Sequence, residues 1–172
     1  ARGGGGGGLH AHLTNYARRL ADLPANRGRP RDIVERIVPR LEKAGLGWRV
    51  IERDEAEELG MGLFLAVARG GASPAMLVIE HDGPRPLLGL VGKGVTHDLG
   101  GYNLKRGAQV HSMTYDKAGA MAVIGAMLGI ARLELPMHVI GICPLVENAL
   151  DGPALKPGEI LRAMDGTTVY VD

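Results

Sequence analysis

The stretch YDKAGAMAVIGAMLGIARLELPMHVIGI, residues 115–142, contains the pattern that decides the fold. Residues 115–133 have few helix breakers and are rich in Ala, Met and Ile, which predicts a long buried helix. Residues 137–142, MHVIGI, are apolar except for His138, which is typical of a strand covered on both faces. The earlier run PLLGLV, 86–91, predicts a second strand. Strand, helix and strand in this order indicate a right-handed parallel crossover.

The rest of the chain continues the alternation of strands and helices. Apolar spacing and turn residues predict helices at 9–23, 30–45 and 53–59, and strands at 48–52, 76–80 and 167–171. The turn at 82–84 predicts that the strands on either side of it are neighbours in the sheet. The glycine-rich segment 92–105 is predicted to be a loop. The pattern therefore indicates an α/β fold with a mixed, mostly parallel sheet flanked by helices.

Length and composition restrict the class of protein. The 172 residues suffice for one domain, and the scarcity of aromatic residues requires an aliphatic core. A net charge of +1 gives no support for a nucleic-acid or membrane surface. The single cysteine, Cys143, excludes an internal disulfide framework and fits a reducing compartment, so we expect a cytoplasmic protein. We interpret residues 1–8 as a flexible Gly-rich linker and 9–172 as the folded unit.

The segment GKGVTHDLGGYNLK, 92–105, is the main candidate for a functional site. Lys93 lies at the carboxyl end of a predicted strand, which is where α/β sheets bind their ligands. Asp98 and Lys105 follow, and Asp116 begins the long helix. Carboxylates suit divalent cations, and a lysine amine can bind a metal when its pKa is lowered. On these residues alone a glycine-rich turn with solvated lysines is the favoured interpretation, and a metal and oxyanion site is the alternative.

The segment 92–105 does not match either of two common phosphate-binding motifs. A P-loop needs a glycine at position 87 and a Ser or Thr at position 94, where this chain has Leu87 and Gly94. The dinucleotide pattern G-x-G-x-x-G is also absent between a strand and a helix here.

Several segments together resemble one known family. VGKGVTHDLGGYNLK (91–105) and MTYDKAGAMAV (113–123) closely resemble the catalytic core of the leucyl aminopeptidases, the cytosolic dinuclear-zinc aminopeptidases. Further resemblance lies, in the same order as in the family, at residues 15–32, 59–70 and 144–161. This resemblance implies a zinc-exopeptidase-like fold in which residues 9–172 are the N-terminal portion of the catalytic domain, incomplete in this chain.

The resemblance also implies roles for single residues. Lys93 matches a lysine metal ligand, Asp98 the carboxylate that bridges two metals, and Asp116 the carboxylate on the tightly bound metal. Lys105 matches the catalytic lysine, and Met113 falls where the family lines its substrate side-chain pocket. The implied reaction is release of an N-terminal, Leu-like residue from peptides by water activated by two divalent metal ions. Zinc or manganese is expected, with magnesium or cobalt as alternatives.

The chain departs from the family pattern at three positions near these residues. His97 stands in place of Phe, Leu99 in place of Ser, and Thr114 in place of Lys. The first two flank Asp98 and could change its surroundings. We interpret His97 as a packing substitution, His111 as a loop residue and Cys143 as a buried thiol.

The resemblance further implies a second signature, NTDAEGRL, directly after residue 172. That signature would supply the remaining metal ligands and an Arg that holds a bicarbonate base in the complete enzyme. We therefore expect a partial chain that forms a homo-hexamer or joins a companion chain and acts on peptide substrates, with no membrane or nucleic-acid partner. The alternative is a truncated or degenerate, non-catalytic member that acts as an assembly or interaction module.

Overall fold

The computed structural model describes residues 5–84 and 86–172. The helices are α1 (Gly5–Ala21), α2 (Pro30–Lys43), α3 (Arg53–Glu58), α4 (Gly62–Val67), α5 (Ala108–Ser112) and α6 (Ala118–Arg132). The strands are β1 (Gly47–Ile51), β2 (Ala75–His81), β3 (Leu87–Val91), β4 (Gly94–Asp98), β5 (His138–Asn148), β6 (Ile160–Arg162) and β7 (Thr168–Tyr170). Short 3₁₀ turns lie at Ala68–Gly70 and Met113–Tyr115.

Strand β5 is the centre of a five-stranded mixed sheet. On one side it pairs antiparallel with β2, which in turn pairs antiparallel with β1. On the other side β5 pairs in parallel with β3 through residues 138–142 and with β4 through residues 145–148. β3 and β4 therefore form one edge of the sheet, interrupted at residues 92–93. The α/β class with a mixed sheet flanked by helices is confirmed, as is the parallel pairing across helix α6.

The prediction that the strands on either side of the turn at 82–84 are neighbours is wrong. β5 lies between β2 and β3 and pairs with both. The turn crosses the start of β5 at close range, because a Cβ on Gly83 would lie 2.4 Å from the carbonyl oxygen of Met137. The backbone N–H of His138 also donates a 3.1 Å hydrogen bond to the carbonyl of Pro84. The connection thus skips one strand position, which the apolar β5 occupies.

Three further segments differ from the prediction. Residues 94–98, predicted as loop, form β4, because they continue the parallel ladder along β5. The predicted last strand is β7, and it pairs with β6 in a separate two-stranded hairpin. Residues 5–8 form the start of α1 instead of a linker, because helical backbone continues unbroken through the glycines, whereas residues 1–4 lie outside the described residues.

Helices α2 and α6 supply much of the apolar core on the sheet. Ile33, Ile37 and Leu41 of α2 are fully buried, as are Met121 and Ile124 of α6. Their spacing of three to four residues explains why both segments form helices with one face on the sheet. Within the described ranges, no helix has the length and apolarity needed to cross a membrane.

Candidate metal and catalytic site

The break between β3 and β4 lies directly on the first turn of helix α6. A Cβ on Gly92 would lie 2.4 Å from the carbonyl oxygen of Gly119, so only glycine fits at this position without a shift of backbone. The carbonyl of Lys93 accepts a 2.8 Å hydrogen bond from the backbone N–H of Ala120. This close contact fixes the backbone of Lys93 beside the start of the helix, where Asp116 lies.

Lys93 and Asp116 form the first charged pair of the site. The Lys93 Nζ lies 3.0 Å from the Asp116 Oδ2, and the lysine side chain is 63% exposed. The Asp116 Oδ2 is buried, yet it accepts no well-directed hydrogen bond. The two groups therefore form an ion pair without the geometry of a hydrogen bond. Buried carboxylate oxygens without a hydrogen-bond partner are rare in proteins and call for an explanation, such as an ion.

Asp98 and Lys105 form the second charged pair. Asp98 ends strand β4, is only 8% exposed, and accepts a 2.7 Å hydrogen bond from the Lys105 Nζ at its Oδ2. Its Oδ1 accepts hydrogen bonds from the Asn148 Nδ2 at 2.7 Å and from the Gly100 backbone N–H at 3.0 Å. Burial raises the pKa of this carboxyl, but the hydrogen bonds from Lys105 and Asn148 outweigh it and hold the pKa below its ordinary value.

The loop between Asp98 and Lys105 is folded back on itself by two glycines. Gly100 and Gly101 have φ angles of +91° and +59°, which side-chain-bearing residues rarely adopt. The Lys105 backbone N–H then donates a 3.0 Å hydrogen bond to the carbonyl of Leu99, which closes the loop. The glycines thereby bring a lysine seven positions downstream back to the aspartate.

The structure thus brings the predicted site residues together as two pairs. Among the described residues, Lys93 pairs only with Asp116, and Lys105 pairs only with Asp98. Met113 begins the 3₁₀ turn before Asp116, and its carbonyl accepts the Asp116 N–H at 3.3 Å. In residues 5–84 and 86–172, no group of three or more His, Cys, Asp or Glu side chains could hold a metal. The donors present are lysine amines and single carboxylates, which fit part of a metal site.

Two residues near the site were missed by the sequence analysis. The first is Asn148, whose contact with Asp98 depends on the register of β4 on β5, and for which its place in the family-like segment 144–161 was the available signal. The second is Lys117, which is fully buried beside Asp116. Its ammonium donates to the backbone carbonyls of Leu23 and Thr114. A lysine at the start of an otherwise apolar helix was the available signal for Lys117.

Burial lowers the pKa of Lys117 to about 8, although the nearby Asp22 acts in the opposite direction. The side chain is therefore still mainly charged at neutral pH, and its carbonyl partners satisfy the ammonium in the interior. Because Lys117 neighbours Asp116 in the chain, its contacts with the segment before helix α2 help to fix the position of the aspartate backbone.

Cys143 is packed in the core, whereas His97 lies beside a cavity. Cys143 is fully buried, as predicted, and burial raises the pKa of its thiol to about 12. His97 is partly buried, and its Nδ1 has no hydrogen-bond partner among the described residues. Together with His111 and Tyr115, His97 lines a cavity of about 520 Å³ beside Pro24.

Comparison with known proteins places this arrangement in context. A profile described as the cytosol aminopeptidase family, catalytic domain, matches residues 15–172. A probable cytosol aminopeptidase of Methylobacillus flagellatus is 40% identical over 162 residues, which cover 91% of this chain and 32% of the relative. One of Rickettsia canadensis is 39% identical over 166 residues, covering 95% and 33% respectively.

A solved structure is similar as well. The bottromycin maturation enzyme BotP, in complex with Mn, has a TM-score of 0.88 and 42% sequence identity. The match covers 93% of this chain and 35% of BotP. The chain thus spans about a third of the length of the relatives that it matches. Since the profile covers nearly all of the described residues, the chain belongs to the cytosol aminopeptidase family and carries part of its catalytic domain.

Proposed function

We propose that this chain is part of a metal-dependent aminopeptidase that releases N-terminal, Leu-like residues from peptides. The observation that carries the proposal is the buried Oδ2 of Asp116, which accepts no hydrogen bond from the described residues and forms an ion pair with the Lys93 Nζ at 3.0 Å. An oxygen and a nitrogen donor arranged in this way, at the carboxyl end of strand β3, suit a divalent cation. Membership of the cytosol aminopeptidase family supports the same conclusion.

In this proposal Lys93, Asp98 and Asp116 hold two divalent ions, together with ligands from elsewhere in the enzyme. Zinc or manganese is the expected metal, with magnesium or cobalt as alternatives, and the Mn in the BotP complex supports manganese. Bound divalent ions would lower the pKa of a water molecule enough for it to act as a nucleophile at neutral pH. The lowered pKa of Asp98 suits this role, because an anionic carboxylate is the form that binds cations.

Lys105 is the residue that we assign to the developing charge on the peptide carbonyl. Its ammonium is held near the site by the closed loop, and a fixed positive charge there would stabilise an oxyanion. Asp98 keeps two other donors when Lys105 turns towards a substrate, so the carboxylate stays in place. We assign Met113 to the pocket for the substrate side chain. A bicarbonate base and assembly as a homo-hexamer or with a companion chain complete the proposal.

The non-catalytic alternative lacks a specific observation in its favour. A degenerate member would be free to lose the charged side chains of the site. Here both lysines and both aspartates are retained and paired. We therefore propose an enzyme, and the experiment below distinguishes it from a non-catalytic module.

The test combines metal binding with hydrolysis. Isothermal titration calorimetry with Mn²⁺ should detect binding to the purified protein, meaning here the complete enzyme that contains this chain, and Asp98→Asn and Asp116→Asn should each weaken it at least tenfold. Asp54→Asn, at an exposed position in α3, is the matched control and should bind as the parent does. Release of nitroaniline from leucine nitroanilide should require Mn²⁺. Absence of Mn²⁺ binding would refute the proposal, and binding without hydrolysis would favour the module.

A further inference from the structure

The two oxygens of the Asp98 carboxylate have different surroundings. The Oδ1 accepts two hydrogen bonds, from the Asn148 amide and the Gly100 backbone N–H. The Oδ2 accepts one, from the ammonium of Lys105, whose side chain is 30% exposed. A flexible, partly exposed lysine can move away, whereas a backbone N–H and a short amide cannot. Only the Oδ2 is therefore free to exchange its partner for a cation.

Asn148 is itself held firmly in place. It ends strand β5 and lies opposite Asp98 in the parallel register. Its backbone carbonyl accepts a 2.8 Å hydrogen bond from the N–H of Leu99, the residue after Asp98. A Cβ on Gly101 would approach the Asn148 Oδ1 to 3.3 Å, so the glycine leaves room for this side of the amide. The amide nitrogen faces the carboxylate because an oxygen in its place would be repelled.

We propose that Asn148 is a positioning residue, which fixes the rotation of the Asp98 carboxylate so that its Oδ2 alone is presented to the metal site. This inference rests on the proposed function, since it concerns the same carboxylate. Asn148 binds no metal and touches no substrate. It acts through Asp98, by holding the Oδ1 in a hydrogen bond that is shorter than the ordinary N–H···O distance of about 2.9 Å.

The decisive variant is Asn148→Leu, which keeps the branched shape of the side chain and removes both amide groups. Mn²⁺ affinity, measured by calorimetry on the purified protein, should fall about tenfold, as for other residues that orient metal ligands. The electron paramagnetic resonance spectrum of bound Mn²⁺ should also change, because a freely rotating carboxylate alters the ligand geometry. Asn15→Leu, at an exposed asparagine of helix α1, is the matched control and should change neither.

A second variant and a reference measurement keep the result interpretable. Asn148→Ser removes the amide with a smaller change in packing and should weaken Mn²⁺ binding similarly if Asn148→Leu fails to fold. If the parent binds Mn²⁺ and a folded Asn148 variant binds it equally with an unchanged spectrum, the positioning role is refuted while the proposed function stands. If the parent itself does not bind Mn²⁺, the proposed function fails and this inference with it.

Discussion

The buried ammonium of Lys117 donates a 3.1 Å hydrogen bond to the backbone carbonyl of Leu23, 94 residues earlier in the chain. The folded state lowers the pKa of this lysine from 10.5 to about 8. Between these values the unfolded chain binds more protons than the folded one, so stability must rise with pH. We expect the free energy of unfolding to gain about 2 to 3 kcal/mol from Lys117 between pH 7 and pH 10.

The measurement is denaturant unfolding at several pH values for the parent and for Lys117→Met. The free energy of unfolding of the parent minus that of the variant should increase with pH, since the variant lacks the ammonium group that titrates. Cys143 has an opposing effect: because burial raises its pKa from 9.0 to about 12, the free energy of unfolding falls as the pH rises above 9.0. Both proteins contain Cys143, so this effect cancels when the two are compared. A difference that is constant from pH 7 to pH 10 would contradict the prediction.

Gly92→Ala tests the contact between the sheet edge and helix α6. A Cβ there would lie 2.4 Å from the Gly119 carbonyl oxygen, and neither backbone can move freely. We expect the unfolding free energy to fall by about 2 kcal/mol, as is common when extra atoms enter a packed interior. Gly89→Ala, on the same edge, is the control, because a Cβ at Gly89 has no neighbour within 4 Å. Equal stability of the two variants would show that the close contact is not formed in solution.

Lys105→Met separates the role of the lysine from that of the metal ligands. Without its ammonium, turnover of leucine nitroanilide by the active protein should fall by about 100-fold, as when one oxyanion donor is removed. The affinity for Mn²⁺ should not fall, because the Lys105 ammonium no longer competes for the Asp98 Oδ2. Arg106→Met removes the same charge from the next, exposed residue and should leave turnover unchanged. Loss of Mn²⁺ affinity with normal turnover would contradict this assignment.

Cys143 provides a test of core packing. Its side chain is fully buried and burial raises its pKa to about 12, so almost no reactive thiolate forms near neutral pH. Ellman's reagent should therefore leave the native protein unmodified and should titrate one thiol after unfolding in guanidinium chloride. Rapid reaction of the native protein would show that strand β5 is not covered as described.

The sequence predicted local elements better than their arrangement. Helices α2 and α6 were expected because their apolar residues recur at helical spacing, and both are confirmed. The insertion of β5 between β2 and β3 was not expected, because the order of strands depends on which distant strand fills the centre of the sheet. β4 was missed since its glycine and polar residues resemble a loop, and only its ladder with β5 makes it a strand.

In the candidate site, too, the sequence identified individual residues but not all of their contacts. Lys93, Asp98, Lys105 and Asp116 were chosen from residue type, position after a strand and family resemblance, and the structure pairs them two by two. The contact of Asn148 with Asp98 could not be found from the sequence, because it arises from strand register. A one-residue change of register would turn the Asn148 side chain to the other face of the sheet.

The central position of β5 has a consequence for biosynthesis. β2, β3 and β4 all precede their shared partner, which occupies residues 138–148. A ribosome-bound nascent chain that stops short of this segment lacks the strand that joins the two halves of the sheet. Such intermediates expose apolar surface and unpaired strand edges, which are the features that chaperones bind. Co-translational folding of this region must therefore wait until residue 148 has left the exit tunnel.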